Sequence, residues 1–142
     1  MKLYFLRHGE TNYNLQALCN DDPKKNVYLT TLGINQIKNM AYNLRDKSIE
    51  VIFISELPRT RETANIINRY HNARLIIDKR INDRKTGFEG QHVSLFQKAI
   101  EKDKFTTRVN GGESFLDEKK RVYNFLDYIK TLEYNSMLVI SH

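Results

Sequence analysis

Residues 3–11 read Leu3-Tyr4-Phe5-Leu6-Arg7-His8-Gly9-Glu10-Thr11. The apolar run Leu3 to Leu6 has the character of a strand that enters a core, and it turns polar abruptly at its end. There a cation, an imidazole and a glycine stand together. Arginine presents a planar fork of donors that matches phosphate oxygens two at a time, and glycine lets the backbone approach a ligand with no side chain in the way. A histidine held beside such a fork can act as a nucleophile toward phosphorus. An isolated Arg-His pair is more often a surface turn, so the weight of this reading depends on what the rest of the chain brings to it.

Beyond this segment, short β-branched runs alternate with longer amphipathic ones, the pattern of strands and helices packed in layers. The first strand is predicted at Lys2 to Leu6. A helix is predicted from Thr31 to Asp46, with Ile34, Ile37, Met40, Ala41 and Leu44 on one face and Thr30 or Thr31 as its N-cap. Ile49 to Ser55 is nearly unbroken in its apolar character, as expected of a strand covered on both sides. A helix follows from Arg59 to Tyr70, then a short strand from Leu75 to Ile77. After a polar stretch come a helix from Val93 to Lys102, a break at Gly111-Gly112, a long helix from Ser114 to Leu132 and a last strand from Met137 to Ser141. Arg7-His8, Ser55 and His142 thus all fall at carboxyl ends of predicted strands, the edge at which open α/β sheets bind ligands.

With 142 residues, 40% apolar and 28% charged, the chain suits one globular domain, 1–142, without repeats or linkers. No stretch approaches the roughly 20 apolar residues of a membrane span, and the amino end lacks the build of a signal peptide. The single cysteine, Cys19, can form no internal disulfide and no zinc pattern. A cytoplasmic setting without membrane contact is therefore expected. Net charge is +6, and residues 59–85 carry eight cations against three carboxylates. That stretch reads either as a basic rim that concentrates anionic substrates or as a solvated face. It lacks the interleaved aromatics that stack bases, so nucleic acid is disfavoured as a partner.

Arg7-His8-Gly9-Glu10-Thr11 with Asn14 resembles the signature of the histidine phosphatase superfamily, which includes the cofactor-dependent phosphoglycerate mutases. Further segments follow in the family's order: Leu29-Thr30-Thr31-Leu32-Gly33-Ile34-Asn35-Gln36, Ser55-Glu56-Leu57-Pro58-Arg59 with Thr63-Ala64, Asn82-Asp83-Arg84 with Gly87, Gly112-Glu113-Ser114, and Leu138-Val139-Ile140-Ser141-His142. The resemblance implies a phosphoglycerate mutase-like three-layer α/β/α sandwich with a mostly parallel sheet. It also implies phosphomonoester hydrolysis through a phosphohistidine on His8, with no cofactor and no metal. Arg7, Arg59 and Asn14 are then the phosphate-binding residues, and His142 is the second catalytic histidine.

The leaving alkoxide needs a proton, and a nearby carboxylic acid is the usual donor. The family commonly places Glu where this chain has Asp83, one methylene shorter. Asp83 is the first candidate and Glu89, in Gly87-Phe88-Glu89-Gly90, the alternative. Without the family context Arg59 would pair with Glu62 or Glu56, and Asp83 with Arg84 or Lys85. Ser114 and Glu113 are expected to cap the long helix, and His71 to act as an electrostatic cap near a helix end.

Family members usually continue past the second histidine with glycine, a helix and a further strand. The resemblance therefore implies a domain whose C-terminal part is missing: a piece of a longer product or a reduced member of the family. One face of the last strand is then expected to lie uncovered, which invites homo-oligomers. A small phosphorylated substrate is the expected partner. The competing functions are mutase-type phosphoryl transfer and an inactive relic that binds phosphate without turnover.

Overall fold

A computed structural model describes residues 1–142. Four parallel strands form one sheet in the order β1-β4-β2-β3, where β1 is Lys2–Arg7, β2 Val51–Ile54, β3 Arg74–Ile77 and β4 Ser136–Ser141. The helices are α1 (Asn12–Leu15), α2 (Thr31–Leu44), α3 (Pro58–Ile67), α4 (Val93–Ala99) and α5 (Phe115–Ile129). The alternating side chains of the two central strands divide the core in two. Ile52, Ile54, Leu138 and Ile140 meet Ile37, Ala41, Ala64 and Ile67 of α2 and α3. On the other face Val51, Phe53, Met137 and Val139 meet Phe125 and Ile129 of α5. This is the expected three-layer α/β/α sandwich, and structural relatives share it.

The observed elements follow the predicted ones with trimmed ends. α3 stops at Ile67, and Asn68–Tyr70 tighten into a 3₁₀ turn. Thr30 caps α2 by accepting from the Gly33 amide at 3.0 Å. Ser114 caps α5 in a reciprocal box with Asp117, whereas Glu113 pairs with Arg121 at 2.7 Å and takes no part in the cap. The short helix α1, capped by Thr11, lies where only a polar loop was expected.

Two expectations are corrected. The last strand is buried on both faces; the open surface belongs to β1, where Phe5 is 62% exposed because α5 does not reach that edge of the sheet. His71 is no electrostatic cap: burial lowers its pKa, and its Nε2 is buried without a partner.

Candidate active site

The sheet brings the polar strand ends together. β4 lies between β1 and β2, in register such that Arg7 pairs with Ser141, and Ile54 with Ile140. Residues 8, 55 and 142 each follow directly on these ends, and the His8 amide donates to Ser141 O at 3.1 Å. From the end of β3, the turn Lys79–Ile81 carries the chain to Asp83 on the same edge.

His8 is buried, and its ring is fixed at both nitrogens. Nδ1 lies 2.7 Å from Gly9 O, a group that only accepts, so the proton sits on Nδ1 and the Nε2 lone pair is free for chemistry. Arg59 Nε donates to that lone pair at 3.0 Å. Burial, with help from the Arg59 and Arg7 charges, lowers the His8 pKa to about 4, so the ring is neutral near pH 7. Gly9 has a further task that the sequence did not disclose. A Cβ there would stand 2.7 Å from Gly33 O, so its bareness lets α2 lie directly against the loop that carries His8.

Arg59 is buried and fully engaged. Besides His8 it donates to Asn20 Oδ1 and Asn20 O, and to Asp83 Oδ2 at 2.9 Å. It pairs with neither Glu56 nor Glu62: Glu56 accepts from Asn82 Nδ2, and Glu62 from the Leu29 amide. Asp83 also accepts from the Arg84 amide at 2.9 Å. Burial raises its carboxyl pKa and outweighs the opposing pull of Arg59. The shorter side chain thus does reach the centre of the cluster.

His142 lies under this group, its ring centroid 5.2 Å from that of His8. Its Nε2 is 2.9 Å from Ser55 Oγ, which also accepts from the Leu57 amide. Its Nδ1 is buried without a hydrogen bond, 3.9 Å from Asp83 Oδ2. Burial, then the neighbouring charges of Arg59 and His8, lower the His142 pKa far below the usual histidine value. Asn14 Oδ1 accepts from the Thr11 amide and hydroxyl, which leaves its Nδ2 donor without a protein partner.

Arg7, His8, Asn14, Arg59 and Asp83 border one cavity of about 290 Å³. Glu89 is not among its walls. Its carboxylate is spent on Asn20 Nδ2 and the amides of Asp21 and Asp22 at 2.6–3.0 Å, so it holds the loop that presents Asn20 to Arg59. No set of three or more His, Cys, Asp or Glu side chains converges as a metal-holding group. Nor do residues 59–85 form a simple basic rim, because Arg59, Arg80 and Arg84 are paired with Asp83, Asp78 and Glu118.

The family model of the histidine phosphatase superfamily (branch 1) matches residues 3–142. The chain belongs to this superfamily. Among its relatives is the "Putative phosphoserine phosphatase 2" of Hydrogenobacter thermophilus, 28% identical over 99% of this chain and 72% of its own length. The "Probable phosphoglycerate mutase GpmB" of an Enterobacter species is 32% identical over the whole chain and 69% of its own. The crystal structure of the alpha-ribazole phosphatase from Shigella flexneri superposes with a TM-score of 0.90 at 28% identity, covering all of this chain and 74% of that one.

Family motifs pointed to Arg7, His8, Asn14, Arg59, Asp83 and His142. They did not point to Asn20, which orients Arg59, or to Thr63, whose hydroxyl accepts from the Gly9 amide at 3.2 Å. A polar residue in a loop carries no periodic signal. Thr63 was legible only as one of the inward positions of its helix.

Proposed function

We propose that this chain hydrolyses small phosphomonoesters in two steps through a phosphohistidine on His8. The observation that carries the reading is the pinned imidazole, with Nδ1 on Gly9 O and Nε2 facing Arg59 at 3.0 Å across a shared cavity. An incoming phosphoryl group would take over the Arg59 donors, and the Nε2 lone pair, released from Arg59, would attack phosphorus. Arg7, whose side chain borders the cavity, and the uncommitted donor of Asn14 would bind the remaining oxygens. As the ester bond breaks, Asp83 gives its proton to the leaving alkoxide. Water then attacks the phosphohistidine and yields its proton to the Asp83 carboxylate. Inorganic phosphate departs and His8 is restored. His142, anchored by Ser55, aims its unpartnered Nδ1 at the same centre.

The test is incubation with radiolabelled p-nitrophenyl phosphate followed by acid and base quenching. Label that is lost in acid, kept in base and absent from His8→Ala supports the reading, as does release of inorganic phosphate. Phosphate that binds without either signal would leave only a phosphate-binding relic. The similarity to a protein named phosphoglycerate mutase favours a second reading, transfer of the phosphoryl group between hydroxyls. Appearance of 2-phosphoglycerate from 3-phosphoglycerate would establish it.

A further inference from the structure

The charges around the cavity differ between its two ends, and this bears on which esters it accepts. Three guanidinium groups border it. Arg59 is paired with Asp83 at 2.9 Å and Arg84 with Glu118 at 2.7 Å, which leaves Arg7 as the bordering cation without a carboxylate partner. Arg84 is further held between the rings of Phe96 and Phe115, 5.8 and 5.3 Å from their centroids. One uncompensated cation, next to His8, matches one phosphoryl group.

The wall formed by Leu18, Val93 and Phe96 is apolar, and Gln97 and Thr86 add only neutral polarity. Backbone bonds hold that wall in place. Leu18 bridges to His92, Cys19 bridges to Glu89, and the Val93 amide donates to Ala17 O at 2.8 Å. Phe88 packs against Phe96 at 6.3 Å between centroids. A carboxylate or second phosphate on the alcohol would lie against apolar surface and the Asp83 carboxylate with no free cation to meet it. The volume, about 290 Å³, is at the lower edge of the range of about 300–1,000 Å³ for small-molecule sites, which suits a single ring or a short chain.

We propose that the site selects phosphomonoesters of small neutral alcohols with an apolar body, such as phenyl or short alkyl phosphates, over esters of carboxylated or doubly phosphorylated alcohols. The inference rests on the reading that His8, Arg7 and Arg59 hold the phosphoryl group. It separates this chain's substrate from the phosphoserine and phosphoglycerate in its relatives' names.

Two measurements on the intact chain test it. In steady-state kinetics, kcat/KM for phenyl phosphate is expected to exceed that for 3-phosphoglycerate and O-phosphoserine by roughly tenfold or more. Phe96→Ala is expected to raise KM for phenyl phosphate several-fold while kcat stays within about twofold, and to leave the values for 3-phosphoglycerate nearly unchanged. In calorimetry, phenylphosphonate, which cannot be hydrolysed, should bind more tightly than 3-phosphonopropionate. Equal or reversed rankings in either measurement overturn the selectivity. If no ester is turned over but phenylphosphonate still binds preferentially, the hydrolytic reading fails and the selectivity stands. If neither phosphonate binds, both fall.

Discussion

At the scale of single residues, the chemistry rests on two pKa values moved toward each other. Free histidine and aspartate have values of 6.5 and 3.8, so at no pH are a neutral imidazole and a protonated carboxyl both abundant. Burial lowers His8 to about 4 and raises Asp83, which opens a window in which nucleophile and acid coexist. For His8 the charged form is disfavoured, so its reactive form persists down to its folded pKa and is lost below it. For Asp83 the proton is retained above 3.8 and lost as pH rises further. The expected kcat/KM profile is a bell on the acid side of neutrality, with its lower limb near pH 4. Asp83→Asn should lower kcat on the order of 10²–10⁴-fold for an ester with a poor leaving group, with a much smaller effect for p-nitrophenyl phosphate, which leaves without a proton. Equal losses for both esters would remove Asp83 from the acid role. Most of this cluster was legible because the motif residues carry the chemistry directly. Asn20 and Glu89 were not legible in their observed places, because both act on Arg59 through a loop whose path only packing defines.

The elements of the fold explain why the residues meet. Each helix end is set by local chemistry that the sequence displays: Thr30 and Ser114 as caps, Pro58 at the first turn of α3. The path between elements is set by contacts that it does not display. Gly33 in the first turn of α2 lies against the backbone of Glu10, and an added Cβ would stand 2.1 Å from Glu10 O. Neither a helix N-terminus nor a loop of this length demands glycine for its own conformation, so the sequence gave no reason beyond the motif. Gly33→Ala is expected to push α2 away from the His8 loop. The cost should be about 1–3 kcal/mol of stability together with a loss of kcat larger than the fraction unfolded explains. Chemical denaturation and activity measured on the same preparation separate the two effects. A variant as stable and as active as the parent would show that this close approach is dispensable.

For the whole molecule, alternating strands and helices announced layers, but the strand order followed from no local signal. β4 enters last and takes the place between β1 and β2, and only this insertion sets His142 beside His8. Register across that arrangement also exposes an asymmetry. Phe5, Val139 and Phe53 lie side by side on the α5 face of three neighbouring strands, 62%, 1% and 0% exposed. Phe125 of α5 meets Phe53 edge-on at 5.4 Å, so the helix shelters the centre of the sheet and leaves β1 open. Two phenylalanines in one row should therefore differ sharply in what they contribute. Phe53→Ala removes a ring from a dry, filled interior and is expected to cost about 3–5 kcal/mol. Phe5→Ala removes a ring that water already reaches and should change stability by only about 0.5 kcal/mol. Denaturant midpoints of the two variants decide the matter. A large loss on truncating Phe5 would mean that its side chain is covered in solution by something absent from the isolated fold, and that the open edge of the sheet is occupied in the working protein.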